Sequence, residues 1–208
     1  MSKKEKGAVD ASTEDKIKNA ARTVFQKKGF AATRTRDIAE EAGINLALLN
    51  YYFRTKEKLF EIVMMETLSS FLQGMAGVFN NENTTFEKKI ELLAINYIDF
   101  CTESPNIPIF VLSEIRNRPE DLLKIIPVNQ ISHAVIIQQF QEKVKKGEIN
   151  EPNLLHFIMN IMGLIIFPFV GQPILTAIGE LNNAQFNQLM QERKKLIPQW
   201  IKAMFFAP

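Results

Sequence analysis

Asn50 and Tyr51, with Ala47 and Leu48 a turn before them, are the side chains of this sequence best matched to the edge of a base pair. An asparagine amide offers a donor beside an acceptor, as adenine does in the major groove, or it can bond a phosphate. Alanine and leucine can lie against a thymine methyl, and a tyrosine hydroxyl can donate to a phosphate. Leu46 and Tyr52 bracket these four positions, and Arg54, Lys56 and Lys58 follow as cations suited to a phosphate backbone. Thr55 is placed to cap the next helix, whose first N–H groups favour the same anion. Upstream, Thr35 and Arg36 open an earlier helix and Asn45 stands before the second. The candidate DNA contacts are therefore Thr35, Arg36, Asn45, Leu46, Ala47, Leu48, Asn50, Tyr51, Tyr52 and Lys56.

These residues need a scaffold that fixes their direction. Thr35 has the side chain of an N-cap for a helix from Arg36 to Ala42, where Ile38, Ala39 and Ala42 share a face. Gly43 accepts the left-handed backbone that ends a helix, and Asn45 can cap the next. At about 100° per residue, Leu49 and Phe53 fall on one side with Leu46 flanking, facing Ile38 and Ile44. A capping-box start at Ser12 and Asp15 precedes a first helix with Ile17, Ala20, Ala21, Val24 and Phe25 at i, i+3, i+4, i+7 and i+8. It ends near Gly29, and Phe30 folds back onto Ile38, Leu49 and Phe53. Three helices around one small core make a helix-turn-helix head over residues 13–60.

At these positions the chain resembles the TetR family of bacterial transcriptional regulators. The resemblance rests on Phe25, Gly29 and Phe30, then Thr35, Ile38 and Ala39, then Ala42, Gly43 and Ile44, then Tyr52, Phe53, Lys56 and Glu57, in order over roughly residues 13–60. It departs from the family at Ala47, Leu48 and Asn50, where glycine, a hydroxyl residue and tyrosine are common. A hydroxyl contact to phosphate at position 48 is thereby lost. The resemblance implies a cytoplasmic homodimer and a pseudo-palindromic operator, often near the protein's own gene. It also implies a ligand held among central helices, and pairing of the last two long helices across a two-fold axis.

Composition agrees with such a division. Through Phe60 there are thirteen Lys and Arg against eight Asp and Glu; beyond it, twelve against fifteen, so the whole-chain charge of +2 conceals a basic head. At 208 residues and 46% hydrophobic content the chain can bury a large core. The single Cys101 excludes an intramolecular disulfide and fits a reducing compartment. Residues 1–12, polar and without an apolar run, are expected as a flexible arm rather than a secretion signal.

Residues 61–208 read as a helical ligand-binding and dimerisation domain, with no strand-like alternation, so the fold class is all-α. One long helix runs from Lys56 towards Phe79, Thr84 with Glu87 caps the next, and Pro119 and Pro127 precede two more, the second carrying Ile131. Leu154 to Val170, the most apolar stretch, has 17 residues against the roughly 20 a bilayer needs, and contains His156, Asn160 and Pro168. Together with Phe186 to Met204 it suits a subunit interface. The candidate pocket residues are Phe71, Met75, Phe79, Phe110, Met159, Met162 and Phe167, among sixteen phenylalanines and eight methionines that make an adaptable apolar interior. His133 and His156 lack metal-ligand neighbours, and no nucleophile elbow, P-loop or GxGxxG pattern occurs, so neither metal, cofactor nor catalysis is expected. The expected function is a ligand-responsive DNA-binding regulator, a repressor released by a small apolar molecule. The alternatives are a carrier or enzyme with a vestigial head, and a helical protein-interaction module.

Overall fold

A computed structural model describes residues 3–126 and 133–206, with side chains from Ser12 onward. Among the described residues every regular element is a helix: α1 (Lys3–Ala32), α2 (Thr35–Ala42), α3 (Leu46–Tyr52), α4 (Lys56–Asn80), α5 (Phe86–Glu103), α6 (Asn106–Asn117), α7 (Pro119–Ile125), α8 (Val135–Lys145), α9 (Leu154–Val170), α10 (Gln172–Ile178) and α11 (Asn183–Phe205). The chain divides into two compact units, Met1–Leu68 and Ser69–Pro208, and α4 runs through the division. Pro127 and Ile131, expected before and within the eighth helix, lie outside the described residues.

In the first unit, α1 is helical from Lys3, where the sequence predicts an arm, so Ser12 caps nothing. Asp15 instead pairs with Lys18 at 3.0 Å. The helix breaks at Gly29, whose φ of 74° and ψ of 165° is a conformation glycine tolerates best. The Lys18 ammonium also lies 2.8 Å from Glu66 on α4, while Arg22 donates from Nε to Thr67 Oγ1 at 3.2 Å. Below these polar ties Phe60 meets Phe25 edge-on at 5.0 Å between ring centroids and Phe30 at 4.6 Å. Leu59, Val63, Met64 and Leu68 of α4 are buried, which carries the unit past the expected limit at Phe60. By length and composition α4 could also cross a membrane. Its buried stripe and paired Glu66 instead mark it as a packed helix.

In the second unit α5 supplies Phe86, Ile90, Leu93, Ala94, Ile98 and Cys101 at helical spacing to one core shared with α8, α9 and α11. Thr85 rather than Thr84 caps this helix, accepting from the Lys88 amide at 3.2 Å. The Thr84 carbonyl has other work. It accepts from the Lys89 ammonium and the Gln139 amide, both at 2.9 Å, and Lys89 donates further to Asn81 O at 2.7 Å and Gln139 Oε1 at 2.9 Å. Lys89 is fully buried, and burial holds its pKa below the ordinary value. In α9, Pro168 has no N–H for the carbonyl four residues back, and Arg193 Nη2 of α11 donates to that Leu164 oxygen at 2.6 Å. The α9–α10 pair is bent by 73°.

Two outcomes are expected from these ties. Lys89→Met leaves buried acceptors without donors and should lower the unfolding free energy by about 2–3 kcal/mol in urea denaturation. Lys18, held mainly by its hydrogen bond to Glu66, has its pKa raised from 10.5 to about 12. Its raised value means the stabilisation is whole below pH 10.5 and is lost as pH rises towards 12. The alkaline fall in urea midpoint should therefore be smaller in Glu66→Gln than in the parent chain.

Candidate nucleic-acid interface and cavity

The turn that aims α3 is closed by backbone bonds. Gly43, at φ 61° and ψ 39°, donates to Ala39 and Glu40 carbonyls, and the Ile44 amide reaches Ala39 O at 3.0 Å. Asn45 caps α3 as expected, its Oδ1 accepting from the Leu48 amide at 2.8 Å. Leu49 and Phe53 are buried, so the helix can sit only one way round. Ala47, Asn50 and Tyr51 then face outward, Tyr51 with 78% of its surface exposed. Leu46 lies at the margin; Leu48 and Tyr52 are half-buried, and the Tyr51 and Tyr52 rings meet edge-on at 5.3 Å. Arg34, Arg36, Arg54 and Lys58 are exposed around this face.

Thr35 and Lys56 are held in ways the sequence did not predict. Thr35 is the first residue of α2 rather than its cap. Arg34 occupies the cap position, and its amide donates to Asp37 Oδ2 at 2.9 Å. That bond, with Lys28 at 3.2 Å, holds the Asp37 carboxyl below its ordinary pKa. Lys56, expected on a phosphate, has two of its three N–H groups on Phe30 O and Thr33 O, at 2.9 and 3.0 Å, and sits 4.2 Å above the Phe30 ring. It is a clamp on the α1–α2 connection. Thr33, which the sequence did not single out, is buried there and donates to Gly29 O at 2.7 Å.

The second unit holds a cavity of about 140 Å³ walled by α4, α5, α8 and α9. Of the expected residues, Phe79 and Met162 line it. Phe71 stands beside it, stacked on Phe100 at 3.9 Å and edge-on to the lining residue Tyr97 at 4.6 Å. Met75 and Phe110 are buried elsewhere in the interior, and Met159 and Phe167 are 60% and 63% exposed. Each of those two lies two positions from an inward isoleucine, Ile161 or Ile165, and so about 200° round the helix. The lining the sequence missed includes Leu93, Tyr97, Ile136, Phe140 and Phe157. Their helical spacing is that of any buried face and does not distinguish a cavity wall from filled core. Burial pushes the Tyr97 phenol and the Cys101 thiol each up to about 12, so both are neutral.

Residues 17–63 match the family model described as "Bacterial regulatory proteins, tetR family". Over that span the chain is similar to the DNA-binding segment of TetR-family regulators. It is 24% identical over 198 residues, 93% of this chain and 94% of the other, to the Bacillus subtilis protein named "Probable HTH-type transcriptional regulator YttP". It is 29% identical over 124 residues, 53% of this chain and 60% of the other, to the HTH-type transcriptional repressor KstR2 of Mycolicibacterium smegmatis. Its fold is shared with the transcriptional regulator FadR from Bacillus subtilis, solved in complex with stearoyl-CoA, at a TM-score of 0.58 and 19% identity over 88% of this chain and 96% of that one.

The matched span covers the clamp and the turn together, so Lys56 can be tested against its two roles. Lys56→Met should destabilise the head by about 2–3 kcal/mol, because two carbonyls lose their donor. The slope of DNA affinity against salt should change by much less than the one unit that about one phosphate contact contributes. A full unit lost from the slope, with thermal stability unchanged, would return Lys56 to the phosphate.

Proposed function

We propose that this regulator is a cytoplasmic homodimer that binds a pseudo-palindromic operator, near its own gene, represses there, and is released by a small apolar molecule in the cavity. It acts by binding rather than by catalysis. The observation that carries the DNA part is the rigidly capped α3, whose outer face is exposed inside a rim of Arg34, Arg36, Arg54 and Lys58. Ala47, Asn50 and Tyr51 meet base edges or adjacent phosphates in this arrangement. Leu46, Leu48 and Tyr52 flank them, Asn45 keeps α3 in register, and Thr35 and Arg36 meet the backbone.

Large apolar side chains left open on α9 and α11, Leu155, Met159, Phe167, Leu189 and Met204, support pairing with a second copy. A two-fold pair presents two α3 helices to successive major grooves. The name of the KstR2 relative supports repression, and the FadR complex supports a ligand in this fold. The cavity of about 140 Å³ is close to the roughly 150 Å³ apolar cavity that admits benzene. A small aromatic or short aliphatic group therefore fits without rearrangement. A larger ligand requires the surrounding helices to move.

Selection from a random duplex pool at low salt, with light scattering on the same sample, is the test. A two-fold symmetric motif bound by a dimer is expected; no selected sequence overturns the regulator, and a monomer at micromolar concentration removes the interface and the two-fold reading of DNA. Lipophilic compounds that raise the thermal midpoint should weaken operator binding by roughly 5- to 150-fold, the usual range of coupling between sites. Compounds that stabilise the fold and leave operator affinity unchanged would show the cavity and head to be uncoupled.

A further inference from the structure

We infer that the operator bases under α3 are A·T pairs, read by the Asn50 amide and by thymine methyls against Ala47 and its leucine neighbours. This rests on α3 being the helix that enters the groove. The seven residues of α3, Leu-Ala-Leu-Leu-Asn-Tyr-Tyr, include no Arg, Lys, Gln, Asp, Glu, Ser or Thr. Guanine is read in the major groove by an Arg or Lys fork on O6 and N7, and cytosine by a carboxylate accepting from N4. Neither group is present on this helix. Asn45 is engaged as well, since its Oδ1 holds the Leu48 amide. That leaves Asn50, exposed and in no bond to another described residue, as the one amide able to present a donor and acceptor pair to adenine N7 and N6. Next to it, Ala47 is exposed and Leu46 and Leu48 keep part of their surface open, apolar groups that gain contact area from a C5 methyl and none from cytosine. Tyr51, exposed and propped edge-on by Tyr52, reaches the flanking phosphate or a base edge with a hydroxyl that does not tell A·T from G·C. The exposed guanine-reading groups around it are Arg34 and Arg36, on the cap and first turn of α2, and Arg54 and Lys58, beyond the end of α3. A guanine in the motif therefore lies beyond the α3 contacts and answers to one of these four cations.

The full chain is used to select from a random duplex pool, and the motif is compared with those of Asn50→Ala and Arg36→Ala, both exposed positions whose folding is checked by circular dichroism. Each half-site should show an adenine that loses preference by roughly 5- to 150-fold in Asn50→Ala, the span of one good bidentate pair. Flanking thymines, replaced singly by deoxyuridine, should cost roughly fourfold for each methyl contacted. Any conserved guanine should respond to alanine at Arg34, Arg36, Arg54 or Lys58 and not to Asn50→Ala. A motif whose positions protected by α3 are G·C overturns the inference while leaving the regulator standing. So does a motif unchanged both by Asn50→Ala and by thymine demethylation. A pool from which no sequence is selected overturns the regulator itself.

Discussion

A helix of seven residues cannot hold itself together in water, because nucleating one turn fixes several residues for a single hydrogen bond. Everything that α3 presents outward is therefore borrowed from what surrounds it. Leu49 and Phe53 anchor its inner side, Asn45 closes its first turn, and Gly43 sets the angle at which the chain leaves α2. Gly43 is the position where this dependence is sharpest: with φ at 61°, a branched side chain there would strain the turn and swing the outer face of α3. The exposed residues are few and small. Their value lies in the fixed direction they are given.

Backbone carbonyls left open at turns and breaks recur through the molecule, and long cations close them. Lys56 serves Phe30 and Thr33 between α1 and α2; Lys89 serves Asn81 and Thr84 between α4 and α5; Arg193 serves the Leu164 carbonyl opposite Pro168. An ammonium has three donors, so one lysine can gather carbonyls that no regular ladder reaches. The cost is desolvation of a charge, visible in the lowered pKa of buried Lys89, and it is offset by charge-assisted bonds to several acceptors at once. These contacts fix helix junctions, and in the head the junction so fixed is the one from which α2 departs.

The interior of the second unit is built from rings. Phe86, Phe140 and Phe157 lie 5.4 to 6.1 Å apart between centroids, and Phe71 stacks on Phe100. The cavity is walled by the first three of these rings together with Leu154, Ile158, Ile161 and Met162 of α9. Its apolar wall, with Tyr97 held neutral, favours an uncharged occupant.

Local signals in the sequence were enough for the all-helical class, the Gly43 turn, the Asn45 and Thr55 caps, and the Leu154–Val170 limits of α9. These features depend on residues within a turn or two of one another, so spacing and side-chain type carry them. The inward and outward faces of α3 follow from the same 3.6-residue period. What lay beyond local reach depended on which group arrives from elsewhere. Lys56 has the composition of a phosphate ligand, and only the return of Phe30 and Thr33, over twenty residues upstream, turns it into a clamp. The cap of α2 falls at Arg34, one residue before Thr35, where the Asp37 carboxylate, paired with Lys28, accepts from the Arg34 amide. Met159 and Phe167 are as apolar as Met162, yet the packing of α9 turns them outward and Met162 towards the cavity. Hydrophobicity sets whether a side chain is driven from water; the tertiary structure decides whether it meets filled core, a cavity or the surface, because that depends on helices distant in the chain.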